Sequence, residues 1–284
     1  MSTVLVGGLL SGLGAAAIAM GLWISYGRQR LVDIANSSFM LTAAYLVYTL
    51  TREGLNPIVA MALLLPAGAA FGFVFYLVFL DRFHAREHLE SALFTFAVLI
   101  LFQGILLVIW QGGYRSIATP FLGGGHTLGG IRIPTTQAVA AATGLVLAIA
   151  VFATGRFTIA GKVADAVCTN AERAATIGIN TKLVNASLYA VATACATAGG
   201  LVIGITSAFS PDTILPVFVA AFMIATLGGP FGALGVLAAG VGLREFQSVV
   251  SYYYGGWEGI LTFMALVVIL IARPRVLFPD VTWH

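Results

Sequence analysis

Between Val4 and Ala272 the chain returns repeatedly to apolar runs of about 18–25 residues, each long enough to cross a lipid bilayer, with only short polar intervals between them. Charged residues make up 9% of the 284 positions, against roughly a quarter in soluble domains. A chain of this kind is expected to be an all-α integral membrane protein. The runs predict spans at about 4–25, 37–50, 57–80, 91–110, 134–154 and 183–205, a broken or re-entrant pair within 217–250, and a last span at 256–272. That makes about eight transmembrane helices in a single domain, 1–284. The first run, Val4–Ile24, lacks a basic flank and a clear cleavage site and is read as the first span. Pro66 predicts a kink in the third.

Arg28, Arg30, Arg82, Arg86, Arg156, Lys162, Arg173, Lys182, Arg273 and Arg275 fall in alternate connections; the others carry Arg52, Arg115 and Arg132, with Arg244 near a span end. The basic excess marks the cytoplasmic side, so the N-terminus is expected outside and the C-terminus inside. The net charge of +3 is therefore a membrane signature and points to no nucleic-acid partner. The 33 glycines, several at small-xxx-small spacing (Gly8/Gly12, Gly68/Gly72, Gly200/Gly204, Gly228/Gly232), predict close helix packing. Cys168 and Cys195 are not placed for a disulfide.

Two intervals are polar for longer than a turn requires. Residues 111–133 form a glycine-rich loop on the outside. Residues 155–182, on the inside, contain a short helix with both ends written in the sequence. Thr169-Asn-Ala-Glu172 reads as a capping box, Ala171, Ala174 and Ala175 favour helix, and Gly178-Ile179 reads as a left-handed stop. The helix over about 170–177 is too short to stand alone in water. It lies either on the membrane surface as an elbow or in a groove of a cytoplasmic partner.

Gly228-Gly-Pro-Phe-Gly232 breaks an apolar run, and interrupted helices at membrane depth mark substrate pathways or tight packing corners. Polar residues near or inside spans are Asn36, Ser37, Ser38, Gln103, Arg244, Glu245 and Gln247. Arg244 and Glu245 point different ways and need separate partners. So apolar a path suits a small solute with an aliphatic or aromatic group better than an ion. No protease, hydrolase or metal-ligand motif occurs. Gly155–Lys162 has the wrong spacing for a phosphate loop, and His84, His88 and His126 form no ligand set.

With those residues in view, the chain resembles the membrane subunits of branched-chain amino-acid ABC importers (Liv type, closer to the LivH than the LivM branch). The resemblance runs over nearly the whole length. Asn170-Ala-Glu-Arg-Ala-Ala-Thr-Ile-Gly-Ile-Asn180 is similar to the family's cytoplasmic coupling motif, Phe218–Gly235 to its glycine-proline segment and Arg273–Phe278 to its C-terminal signature. Asn36-Ser37-Ser38 stands where the family has a histidine-glycine motif. The resemblance implies a non-enzymatic permease in the bacterial inner membrane. A second permease completes the pore, a heterodimer being the Liv pattern, and two ATPase subunits carry the ATP and Mg, so this chain binds no cofactor. A periplasmic binding protein delivers the substrate. Asn170, Glu172, Arg173, Ala174, Ala175 and Gly178 would couple the ATPases to the pore. Asn36, Ser37, Ser38, Gly228, Gly229 and Pro230 are the pathway candidates. A bulky or charged residue at Ala174 or Gly178 is expected to abolish transport. Branched-chain amino acids are the default substrate, with other hydrophobic amino acids, urea, short amides and aromatic acids left open, and a self-sufficient carrier is the rival class.

Overall fold

The computed structural model describes residues 2–29, 31, 33–82, 88–118, 122, 124–128, 131–253, 255, 260, 263, 264 and 267. The expected span at 256–272, the Arg273–Phe278 segment and the elbow around His84 and Arg86 lie outside the described residues or only touch them.

α1 (Ser2–Trp23) runs into one π-helical turn, Ile24–Arg28. α2 (Ala35–Arg52) starts where Asp33 Oδ1 accepts the Asn36 N–H at 3.2 Å. Asn56 caps α3 (Pro57–Val78), with Pro57 at the first helical position, where its missing N–H costs nothing. Pro66 lies inside α3 without ending it. α4 is His88–Trp110. An antiparallel hairpin follows, β1 (Gly125–Leu128) with β2 (Ile131–Pro134), registered Leu128 opposite Ile131. α5 is Thr135–Phe157, and Thr158 both ends it and caps α6 (Ile159–Thr169). Then come α7 (Ala171–Thr176), α8 (Thr181–Thr206), α9 (Ile214–Gly228), a 3₁₀ turn at Gly229–Phe231 and α10 (Gly232–Tyr253).

Among the described residues six helical stretches are long and apolar enough to span a membrane: Leu5–Arg28, Pro57–Arg82, Glu90–Trp110, Thr135–Phe157, Thr181–Thr206 and Pro211–Tyr253. α2 is not among them because its polar residues lower its hydropathy. Those residues are buried by neighbouring helices instead of facing lipid: Asn36, Ser37 and Ser38 are all sealed from the surface.

α8 is the axis of the bundle, with 78% of its spanning window buried against 17% for α3 and 22% for α4 and α5. Small residues let the neighbours approach it. Gly68 and Gly72 of α3 face Thr197 and Thr193 of α8, Gly200 faces the α2 backbone at Met40 and Ala44, and Gly21 of α1 faces Ala192. α1 in turn crosses α10 antiparallel: a methyl group on Gly12 would stand 2.5 Å from Val241 Cα. Two of the four glycine pairs read from the sequence, Gly8/Gly12 and Gly68/Gly72, thus sit wholly at helix crossings; Gly204 of the third meets the loop residues Ile117 and Phe209, and Gly232 of the fourth is a turn residue with φ of +76°. Phe39 of α2 fills the gap between α3 and α4, its ring edge-on to Phe71, Phe75 and Phe102 at 5.1, 5.2 and 5.1 Å.

Two intervals are more structured than the sequence reading expected. The 111–133 loop contains the hairpin, and it is tied down by paired backbone bonds between Arg115 and Phe209 and by Ile117 N–H to Gly204 O. Gly129-Gly130 between alternating strands is a two-residue hairpin signal. In 155–182 the helix α6 precedes α7; it buries Gly161, Ala164 and Val167, a one-face spacing that a polar composition hides.

Gly12→Ala places its new carbon against backbone that has no rotamer to change, so a cost of about 1–3 kcal/mol and a clear fall in melting temperature in mild detergent are expected. Gly7→Ala, with nothing within 4 Å, should leave the melt unchanged or slightly raised.

Candidate functional site

Arg28, Arg82, Arg156, Lys162, Arg173 and Lys182 gather at one end of the bundle, around α6, α7 and the first turn of α8. Two ion pairs knit that end. Arg28 Nη2 meets Asp165 Oδ1 at 2.7 Å, tying the end of α1 to α6, and Lys182 Nζ meets Asp81 Oδ2 at 2.7 Å, tying α8 to the end of α3. Both are partly exposed, so they set geometry more than stability.

α7 sits on this frame. Its cap is Asn170, whose Oδ1 accepts the Arg173 N–H at 2.9 Å. This corrects the expected Thr169–Glu172 box. Thr169 is the last residue of α6, its hydroxyl donating back to Asp165 O at 2.7 Å, and the extended residue that opens α7 is Asn170. The stop forms as read: Gly178 has φ of +86°, Gly178 N–H reaches Ala175 O and Ile179 N–H reaches Ala174 O, a Schellman closure. Only Ala174 is buried, at 3% exposure, and it is the seat of the helix. Asn170, Glu172, Arg173, Ala175 and Gly178 are exposed, as is Ile177 at 74%. Six residues capped at both ends therefore present a small mixed apolar and charged knob away from the bundle.

At the same end, the connection from α1 to α2 is buried. Gln29 Nε2 donates to Asn185 O, Ile34 N–H donates to Thr95 Oγ1 at 3.3 Å, and Asp33 is 1% exposed. Around the Asp33 carboxyl stand Tyr189, Asn36 and Ser25. Its Oδ1 accepts the Asn36 N–H, while its Oδ2 has no hydrogen-bond partner among the described residues. Burial pushes the Asp33 carboxyl up from 3.8 to about 6, and those neighbours only pull partly back. Ser37 and Ser38 follow in α2, wholly buried, with hydroxyls that have no hydrogen-bond partner among the described residues.

The break also lies at this end. α9 stops at Gly228, which packs backbone-to-backbone on Gly235 and Val236 of α10, and the chain turns at Gly232. Gly229 O accepts the Trp23 Nε1–H at 3.2 Å, pinning the turn to the last turn of α1. Asn36 meets the same helix at Gly21. Positions 21 and 23 are 200° apart around a helix, so the two groups of pathway candidates flank α1 on opposite sides and do not form one cluster.

Gln103 donates to Asp212 Oδ1 at 3.2 Å, holding α4 to the start of α9. Arg244 and Glu245 do point apart. Arg244 Nη1 donates to Gln247 Oε1 at 3.2 Å, while Glu245 lies over Gly8 of α1. Asp33 and Ile177 were not singled out by sequence reading. The signal for the first is an acid one helical turn before Asn36 at the mouth of an apolar run; for the second, an isoleucine just ahead of a left-handed glycine.

The family described as the permease component of branched-chain amino acid transport systems matches residues 4–271. The chain is also similar to the proteins named high-affinity branched-chain amino acid transport system permease protein LivH of Salmonella typhimurium and of Salmonella typhi. Each is 22% identical over 284 residues, covering 94% of this chain and 92% of the relative. No solved structure matches the chain.

Asp33 gives a pH test. Its folded-state carboxyl holds the proton to about pH 6 whereas the unfolded chain releases it near 3.8. The charged form is therefore penalised in the fold, by on the order of 2–3 kcal/mol above pH 6, and the penalty vanishes as pH falls to 4. Asp33→Asn keeps an acceptor for the Asn36 N–H. It should raise the melting temperature at pH 7.5 and lose that advantage at pH 4, in parallel melts of the purified protein.

Proposed function

This chain belongs to the family of permease components of branched-chain amino acid transport systems, and we propose that it is a membrane subunit of an ABC importer carrying branched-chain or related hydrophobic amino acids. It pairs with a second permease, two ATPase subunits dock from the cytoplasm, and a periplasmic binding protein delivers the substrate. ATP and Mg stay on the ATPases.

In this reading the basic end carrying α6 and α7 faces the cytoplasm, the hairpin end faces the periplasm, and the N-terminus is outside. The helix count is eight, with 256–272 as the last span and the C-terminus inside. α9, with 15 residues, is about 22 Å long and falls short of a ~30 Å hydrocarbon core. It descends from the outer face and α10 returns to it.

The observation that carries the reading is the outward face of α7. A doubly capped six-residue helix anchored by one alanine is a poor structural element but a good rigid key for a groove. Ala175, Ile177, Glu172 and Arg173 are its teeth; Ala174 and the Gly178 turn hold it in place. The role of Ala174 is thus refined by its burial: a bulky residue there tests the seat of the helix, and the partner contact is tested at Ala175 and Ile177.

Mild extraction from the native host followed by mass spectrometry should recover two ATPases and a second permease in stoichiometric amount. Isolation of the chain alone, with solute movement in liposomes without ATP, would establish the rival carrier instead. Within the importer, Ala175→Arg or Ile177→Glu should remove ATP-dependent uptake and co-purification of the ATPases while leaving the melt of the permease unchanged. Uptake at the unsubstituted rate by both variants would sink the docking role of α7.

A further inference from the structure

A cavity of about 290 Å³ lies inside the bundle, between α1, α5, α8, α9 and α10. Its lower wall, Ile18 and Ile224, lies past the midpoint of the Leu5–Arg28 span. Val202, Val217 and Ala221 continue that apolar wall, and its upper part carries Gln137 and Arg244. Beside it, a wider depression of about 410 Å³ opens among Ser116, Ile117 and Leu122. The two spaces share Thr136, Thr206 and Ser207. Thr206 and Ser207 turn their hydroxyl protons back to Val202 O and Ile203 O, at 2.6 and 3.2 Å, and so offer oxygen lone pairs to the passage. Toward the basic end of α1, Trp23 is buried and its indole N–H holds Gly229 O.

We propose that this cavity is a transit site for an α-amino acid, in which Arg244 receives the carboxylate and the Ile18, Val202, Val217 and Ile224 wall receives the aliphatic side chain. The inference rests on the importer reading and deepens it, adding a binding site within the permease itself. A guanidinium on the wall of a cavity at membrane depth is expensive to keep and is used where a negative group arrives. Among the described residues Arg244 is the one charged residue lining either space, and its guanidinium, whose Nη1 holds Gln247 Oε1, is the planar fork of N–H donors that matches a carboxylate. The Gln137 amide and the Thr136–Thr206–Ser207 oxygens supply acceptors for the ammonium group. The volume is at the small end of ligand sites, which suits one small molecule and excludes peptides.

The test uses the full importer in right-side-out membrane vesicles, with Cys168→Ser and Cys195→Ser as background and Ala220→Cys as reporter on the α9 side of the cavity. The anionic, membrane-impermeant reagent 2-sulfonatoethyl methanethiosulfonate should label the reporter from outside. Millimolar L-leucine should slow the labelling, and leucinamide, which lacks the carboxylate, should not. Arg244→Gln should leave the reporter reactive but weaken leucine protection about tenfold, the loss expected for one charge-assisted contact. Arg244→Lys should keep part of it. An unreactive reporter, equal protection by leucine and leucinamide, or full protection in Arg244→Gln would each overturn the site. ATP-driven leucine uptake measured in the same vesicles separates the two claims. Uptake without protection refutes the cavity alone, whereas protection without ATP-driven uptake leaves the cavity standing and refutes the importer reading.

Discussion

Close backbone approach between helices is the constraint on which this bundle depends. In lipid, apolar side chains gain little by turning inward, because the solvent is as apolar as they are; association rests on dispersion contact and on interhelical polar bonds. α8 meets this condition with threonine, alanine and glycine along its buried faces, so that α1, α2 and α3 reach it at Gly21, Met40–Ala44 and Gly68–Gly72. The larger groups are then free for places where a gap must be filled, as Phe39 does among Phe71, Phe75 and Phe102.

That tight axis lets the outer elements depart from regular helix without loss of form. α9 and α10 are separated by a 3₁₀ turn whose carbonyl at Gly229 is satisfied by Trp23 rather than by its own helix. The α1–α2 connection keeps a carboxyl, two amides and several hydroxyls away from both water and lipid. Both irregular features flank the last turns of α1. This is also the end where Arg28 bonds to Asp165 of α6, so α1 physically links the surface helices to the break.

Much of this was legible in the chain itself. Apolar run length located the long helices, the spacing of glycines foretold the crossings at Gly8/Gly12 and Gly68/Gly72, and the Gly178 stop formed as written, because each depends on residues within a turn or two of one another. The N-cap of α7 was misplaced by one residue for the opposite reason. Thr169 and Asn170 are both good caps, and the choice was made by α6, whose helical backbone continues through Thr169 and leaves Asn170 as the extended residue ahead of α7. The hairpin had a local signal in Gly129-Gly130, but its docking by Arg115 and Phe209 joins segments 94 positions apart.

The sequence by itself determined the membrane environment, the long apolar helices and their order, the asymmetry of charge between the two ends and the left-handed stop of α7. These follow from composition and from hydrogen bonds that close within four or five residues. Only the tertiary structure decided that Asn36–Ser38 and Gly228–Pro230 stand on opposite sides of α1, that Ala174 faces in while Ala175 faces out, that Asp33 is sealed from solvent, and that Arg244 borders a cavity. Each of these depends on which helix lies against which, and in lipid that choice is made by shape and small-residue contact, for which hydrophobicity along the chain carries no record.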